Sequence, residues 1–320
     1  MIAVNKNASP EAITVLEYLN SIKGNGILTG QHTQTMEQKE LGYIESVTGK
    51  LPALCGFELL AYSPNINYDT CDEAALKEIY ENRGTIQRAY EWAERGGLIT
   101  FTWHWYSPIG GRDKSFFTKN TDFDAAQVLI EGTPEREAFF SDMDAMAEIL
   151  KGFKEKHIPI LWRPFHESEG DWFWWSAKGM DTARELFRLM YNYYTKGKQL
   201  DNLIWVWNNP RPEGYVGDEY CDILTADFYP PAHEHTSLKA QHDRLATVTA
   251  NKPLAIGELG TFPSISEMAE NDANWLWFMI WSGDFAASEN YVTKDVLKEQ
   301  YSHPYAITFD KLPRWPWCNN

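Results

Sequence analysis

Eight short, almost continuously apolar runs recur along the chain, and a stretch with helical periodicity follows all but one of them. Continuous rather than alternating hydrophobicity is typical of strands covered on both faces, as in a parallel sheet. The runs are Ile27–Gln31, Ala53–Phe57, Leu98–Trp103, Ile158–Arg163, Leu203–Trp207, Ile223–Phe228, Leu254–Gly257 and Leu276–Trp281. The helical patterns are Thr35–Val47, Glu73–Glu94, Pro134–Lys156, Asp181–Lys198, Leu238–Thr249, Ser266–Asn274 and Asn290–Gln300. This alternation predicts an α/β fold, the (β/α)8 or TIM barrel.

The chain shows no linker, repeat or low-complexity tract, so we expect residues 1–320 to form a single barrel domain. The fifth run lacks a helical pattern after it, because Arg211–Asp218 is rich in Gly and Pro. The last residues, Arg314–Asn320, are expected to be either a disordered tail or the cut edge of a longer protein.

Polar residues gather where several of the predicted strands end. The fourth run leads directly into the segment 163–175, Arg-Pro-Phe-His-Glu-Ser-Glu-Gly-Asp-Trp-Phe-Trp-Trp. The other strand-end residues are His104 after the third run, Asp227 and Tyr229 at the sixth, Glu258 after the seventh and Trp281 at the eighth. Because active sites of such barrels lie at the C-terminal ends of the strands, we expect these side chains to share one cavity.

Glu167 and Glu258 supply the pair of carboxylates that glycoside hydrolysis requires. One must be protonated to act as general acid, and the other must be ionised to act as nucleophile or base. Aromatic walls would raise the pKa of the acid, whereas Arg163 or the Tyr229 hydroxyl would keep the second carboxylate ionised. In a retaining enzyme the two carboxyl groups should lie about 5–5.5 Å apart, rather than the roughly 6.5–9.5 Å of an inverting one.

Aromatic residues are unusually frequent, with 14 Trp, 16 Tyr and 16 Phe. Most Trp side chains are expected to fill the core, because their large apolar faces favour burial. The cluster Trp172–Trp175 lies beside the charged segment, and we expect it to line the cleft and stack on sugar rings. The Trp172 ring in particular should face the cleft, since it follows a glycine that lets the backbone turn.

Charge and composition exclude several other classes of function. The chain has 45 Asp+Glu against 29 Lys+Arg, a formal charge of −16, which argues against nucleic-acid binding. No apolar run is long enough to predict a membrane span. The four cysteines show no zinc spacing, no HExxH occurs, and His233–His235 is interpreted as a surface loop, so we expect neither a metal nor a cofactor. The N-terminus lacks an apolar signal core, which fits a protein that stays in the cell or a mature domain to which Met1 was added.

The segment 163–175 resembles the acid/base signature of glycoside hydrolase family 26, in which β-mannanases predominate. The resemblance extends, in the same order, to Gly30-Gln31, Trp103-His104-Trp105, Asp227 and Tyr229, and Gly257-Glu258. It covers residues 30–281. At Ser168-Glu169 the chain departs from the family, whose members often carry a larger residue and an Asn there. The extra carboxylate could change contacts with the leaving group or raise the pKa of the acid.

The resemblance implies a retaining endo-β-1,4-mannanase that cuts mannan, glucomannan or galactomannan without a cofactor. Glu167 would be the acid/base and Glu258 the nucleophile, with Tyr229 hydrogen-bonded to it. The residues that the resemblance assigns to substrate binding are His104, Arg163, His166, Trp172, Asp227, Tyr229 and Trp281. A secreted or cell-surface location is also implied by the family, and we expect a monomer.

Two alternatives stay open on the sequence. A mixed-linkage β-glucanase or a xylanase of the same family would share the catalytic motif, because loops select the sugar. A non-catalytic carbohydrate-binding barrel is a different class of protein, and the presence of both Glu167 and Glu258 argues against it.

Overall fold

Eight parallel strands form the centre of the molecule in the computed structural model, which describes residues 2–318. They are β1 (Ile27–Thr33), β2 (Leu54–Glu58), β3 (Leu98–Thr102), β4 (Ile160–Arg163), β5 (Leu203–Asn208), β6 (Ile223–Phe228), β7 (Leu254–Leu259) and β8 (Trp277–Ile280). Each strand pairs with the next in chain order, and β8 also pairs with β1, so the sheet closes on itself. The predicted (β/α)8 barrel is confirmed. Every residue of β1–β5, β7 and β8 is buried, which explains the continuous apolar runs.

Helices pack around the barrel and connect its strands. They are α1 (Pro10–Ile22), α2 (Lys39–Thr48), α3 (Glu73–Asn82), α4 (Thr85–Glu94), α5 (Pro134–Glu155), α6 (Met180–Asn192), α7 (Lys239–Ala246), α8 (Ile265–Glu270), α9 (Asp284–Ala287) and α10 (Lys294–Ser302). The longest, α5, starts where Pro134 presets the helical backbone and the Thr133 hydroxyl accepts a hydrogen bond from the Arg136 amide. A short strand, β9 (Ala306–Ile307), pairs with β1 outside the ring.

Some connections differ from the sequence prediction. The single helix predicted over Glu73–Glu94 is two helices, because Gly84 adopts a left-handed φ of 93° between α3 and α4. The N-terminal helix α1 was not predicted at all. Between β5 and β6 the structure has one 3₁₀ turn, Pro212–Gly214, where the Gly- and Pro-rich sequence predicted no regular helix.

The C-terminal tail packs on the barrel over the part that the structure describes. Trp315 and Trp317 are buried and stack on each other with ring centroids 5.1 Å apart. The Trp315 indole N–H also donates to the Gly96 carbonyl at 2.9 Å. The expected disordered tail therefore does not describe Arg314–Cys318, and Asn319 and Asn320 lie outside the described residues. Within residues 2–318, no helix is long and apolar enough to span a membrane.

Candidate active site

The C-terminal ends of the barrel strands bring all nine predicted site residues to one face of the barrel. Three carboxylates lie at its centre: one oxygen each from Glu167, Asp227 and Glu258 falls within 4.8 Å of the others. The nearest oxygens of Glu167 and Glu258 are thus closer than the roughly 6.5–9.5 Å between carboxyl groups that leaves room for an attacking water in inverting enzymes. Gly257 makes this approach possible, because a Cβ there would lie 2.4 Å from Asp227 Oδ1.

Arg163, the last residue of β4, organises two of the carboxylates. Its guanidinium donates to both Asp227 oxygens, at 3.2 and 2.9 Å, and to Glu258 Oε1. A further bond to the Thr102 hydroxyl, at 2.9 Å, fixes the plane of the group. The Arg163 side chain is buried, so its positive charge acts on the two carboxylates with little screening by water.

Glu258 is held in one orientation by two donors. The Tyr229 hydroxyl donates to Oε2 at 2.6 Å, and Arg163 donates to Oε1. Burial, helped by the nearby Glu167 carboxylate, raises the pKa of the Glu258 carboxyl, and the Arg163 charge and the Tyr229 hydrogen bond oppose part of that rise. Both donors bind the ionised form best, which is the form that a nucleophile needs.

Glu167 lies in a different environment, one that favours its protonated form. Burial raises its pKa to about 7, and the nearby Asp227 carboxylate adds to the rise. The Trp172 indole N–H donates to Glu167 Oε2 at 2.8 Å, and this hydrogen bond partly offsets the rise in the Glu167 pKa. A carboxyl with a pKa near the working pH can give up and recover a proton, as a general acid/base must.

Two histidines connect this centre to a buried glutamate at the end of β2. Glu58 accepts hydrogen bonds from the His104 ring Nδ1 at 2.7 Å and from the His104 backbone amide at 2.9 Å. The two Nε2 atoms of His104 and His166 lie 3.2 Å apart, and His166 Nε2 is 4.0 Å from Glu258 Oε1. Burial alone would lower the pKa of His104, but the neighbouring Glu58 carboxylate outweighs it and raises that pKa. The pKa of His166 is lowered, because the ring is buried and lies close to the His104 charge. A protonated His104 can therefore donate to a neutral His166.

The aromatic cluster 172–175 divides between cleft and core. Trp172 is 43% exposed and its ring lies over Gly170, where a Cβ would come within 2.0 Å of it. Trp174 and Trp175 are fully buried, so the expectation that the whole cluster lines the cleft is wrong. The Trp175 indole N–H donates to the His166 carbonyl at 2.9 Å, so the buried rings support the backbone of the charged segment.

Trp281 lies at the end of β8, beside the histidines. Its ring stacks on His32 with centroids 4.3 Å apart, and its centroid is 6.0 Å from that of His104. It therefore forms an apolar surface next to the carboxylate centre, where a sugar ring can stack.

The carboxylate set Glu167, Asp227 and Glu258 has the size and chemistry of a cation site. The Arg163 guanidinium already binds two of the three carboxylates and supplies a fixed positive charge there. A second cation in the same place would be repelled by it, so these residues suit proton transfer better than metal binding.

Several residues of the site were missed by reasoning from the sequence. They are His32, Glu58, Thr102 and Asn208, each at the C-terminal end of a barrel strand. A signal was present for Glu58 and Asn208, since each polar side chain follows an apolar run directly. The same signal occurs in ordinary loop residues, and only the packed barrel shows that Glu58 binds His104 and that Asn208 binds Asp227.

The family model described as glycosyl hydrolase family 26 matches residues 4–311. The chain belongs to this family. It is 35% identical to a mannan endo-1,4-β-mannosidase of Thermothelomyces thermophilus, over 97% of the chain and 63% of that protein. It is 28% identical to mannan endo-1,4-β-mannosidase B of Piromyces sp, over 97% of the chain and 53% of that protein. The chain thus spans about half to two thirds of the length of these curated relatives.

Solved structures of the family are similar over nearly the whole chain. The Podospora anserina GH26-CBM35 β-(1,4)-mannanase gives a TM-score of 0.88 at 34% identity, covering 99% of this chain and 69% of that one. A β-mannanase from a symbiotic protist of the termite Reticulitermes speratus, complexed with gluco-manno-oligosaccharide, gives 0.88 at 26% identity, covering 98% of each chain.

Ser168 and Glu169, where a departure from the family pattern is expected from the sequence, have different surroundings. Ser168 is fully buried, and its hydroxyl lies between Asn208, the last residue of β5, and Asn209, which follows it. Glu169 is half-buried, and burial raises the pKa of its carboxyl to about 7, helped by Asp227. The extra carboxylate is itself one of the causes that raise the pKa of Glu167.

Proposed function

We propose that this chain is a retaining endo-β-1,4-mannanase that cleaves internal β-mannosidic bonds of mannan, glucomannan or galactomannan. The observation that carries the proposal is the close Glu167–Glu258 pair on one barrel face, with oxygens within 4.8 Å and with the Arg163 guanidinium and the Tyr229 hydroxyl both bound to Glu258. The mannan-cleaving relatives named above support the choice of sugar.

The proposed reaction proceeds in two displacements at the anomeric carbon. Glu258, held ionised by Arg163 and Tyr229, attacks the carbon while Glu167 protonates the departing glycosidic oxygen. The resulting glycosyl ester is hydrolysed when Glu167, now ionised, removes a proton from the attacking water. His104, His166 and Asp227 would bind hydroxyls of the reacting sugar, and Trp172 and Trp281 would stack on sugar faces.

We also propose that residues 1–320 act as one catalytic barrel domain, as a monomer and outside the cell. The polysaccharide substrate is too large to cross a membrane, which favours an extracellular enzyme. Size-exclusion chromatography with light scattering would test the monomer.

The test of the sugar preference compares the release of reducing ends from mannan, barley mixed-linkage glucan and xylan at equal enzyme concentration. A mannanase releases ends fastest from mannan and yields a series of manno-oligosaccharides when the products are sized. Faster cleavage of glucan or xylan would replace the mannanase assignment with one of those activities. Tight oligosaccharide binding without cleavage of any substrate would indicate a carbohydrate-binding barrel.

A further inference from the structure

The backbone of the segment that carries Glu167 is strained. Phe165 and Glu167 have φ values of 55° and 53°, in the left-handed region that residues with a Cβ rarely adopt. Such conformations persist only when surrounding contacts fix them, and they occur most often at functional sites. Some part of the structure must therefore hold Glu167 in place.

The contacts that do so come from the end of β5. The Glu167 amide donates to the Asn208 side-chain oxygen Oδ1 at 2.7 Å. The Ser168 hydroxyl donates to the Asn208 carbonyl at 3.1 Å and accepts a bond from Asn209 Nδ2 at 3.1 Å. Ser168, Asn208 and Asn209 are all fully buried, so water cannot replace these bonds.

The orientation of the Asn208 amide is determined by its second set of partners. Its Nδ2 donates to Asp227 Oδ1 at 2.7 Å and to the Thr225 hydroxyl at 3.0 Å. Thr225 gives its own proton to the Trp207 carbonyl, so its oxygen is free to accept. With both amide hydrogens committed on this side, the Asn208 oxygen must face the Glu167 amide. One side chain thus joins the backbone of Glu167 to the Asp227 carboxylate.

We propose that Asn208, assisted by Ser168, is a positioning residue that sets the carboxyl of Glu167 for proton transfer to the leaving group. The inference rests on the proposed function, in which Glu167 is the acid/base. Asn208 acts on the catalysis only through Glu167 and Asp227. Loss of its amide lets the strained turn relax, and a shift on the order of 1 Å in a reacting group can cost about 100-fold in rate.

The experiment compares kcat/KM for two substrates: mannohexaose, whose sugar leaving group needs protonation, and 2,4-dinitrophenyl β-mannobioside, whose leaving group does not. For Asn208→Ala we expect kcat/KM on mannohexaose to fall about 100-fold, with little change on the dinitrophenyl substrate. With the dinitrophenyl substrate, kcat and KM should fall together, because the glycosyl-enzyme forms quickly but is hydrolysed slowly and therefore accumulates. Azide needs no general base to attack this intermediate, so it should restore kcat. Ser168→Ala should show the same pattern with a smaller loss.

Asn202→Ala is the matched control, because Asn202 is a buried asparagine next to the opposite end of β5 that donates to the Ile158 carbonyl at 3.2 Å. It should lower Tm without changing the ratio of the two kcat/KM values. If Asn208→Ala does not fold, Ser168→Ala, which keeps all three hydrogen bonds of the Asn208 side-chain amide, carries the test. Equal losses on both substrates, or no loss on either, would overturn the inference.

Glu167→Ala separates failure of this inference from failure of the proposed function. If Glu167→Ala itself shows no difference between the two substrates, the acid/base assignment is wrong. If it shows the difference and Asn208→Ala and Ser168→Ala do not, only the positioning role is wrong.

Discussion

Replacing Trp172 by alanine should damage substrate binding in the cleft far more than it damages the fold. The ring is 43% exposed, so truncation removes the burial of only about half of its surface, which costs about 2 kcal/mol of stability. In a chain of this size that lowers Tm by only about 4 °C. A sugar that stacks on the ring loses about 1–3 kcal/mol of apolar and aromatic contact. The expected loss in kcat/KM on mannan is therefore roughly 10- to 100-fold.

A second variant, Trp172→Phe, isolates the hydrogen bond to Glu167. Phenylalanine keeps an aromatic face but cannot donate to Glu167 Oε2, and this bond lowers the pKa of Glu167. The acid must be protonated to act, so activity is lost as pH rises through its pKa of about 7. Without the bond that pKa rises, and the basic limb of the pH profile of kcat/KM should move to higher pH.

Trp315→Ala is the matched control for the stability measurement. Trp315 is 3% exposed and its loss should cost about 3–5 kcal/mol, a fall in Tm on the order of 10 °C, with unchanged specific activity at low temperature. The reasoning is refuted if Trp172→Ala behaves like Trp315→Ala and unfolds the protein while the folded fraction keeps full activity. A basic limb that moves to lower pH in Trp172→Phe would contradict the account of the hydrogen bond.

Two further predictions concern groups around the nucleophile. Tyr229→Phe removes a 2.6 Å hydrogen bond to Glu258. Since hydrogen bonds to charged groups contribute about 1.5–3 kcal/mol, kcat should fall roughly 10- to 100-fold at unchanged Tm, and an unchanged kcat would show that the bond does not act in the reaction. Glu58→Gln should lower the pKa of His104, because burial opposes the ring's charge and Glu58 supplies the compensation; a histidine ring titration by NMR that shows no downward shift would contradict this.

The sequence predicted the barrel well because barrel strands are buried on both faces and therefore read as unbroken apolar runs. Alternating strands and helices then placed polar strand ends on one face, which is why all nine predicted residues meet there. Other features depend on contacts between distant parts of the chain. Glu58 binds a residue 46 positions away and Asn208 one 41 positions away, and no local pattern specifies these pairings. Trp174 and Trp175 read like Trp172 in the sequence, and only the tertiary packing shows that they are buried, with their indole N–H groups donating to the carbonyls of Trp105 and His166.

The central claim is that Glu258 forms a covalent bond with the sugar. Its most direct test is mass spectrometry of the Glu167→Ala variant after reaction with an activated 2-deoxy-2-fluoro-β-mannosyl substrate, followed by peptide mapping. We predict a mass increase of one glycosyl unit, carried by the peptide that contains Glu258 and located on its carboxylate. A label on any other residue would contradict the double-displacement account. So would release of the leaving group without a covalent adduct, with the α-anomer of the sugar as the first product.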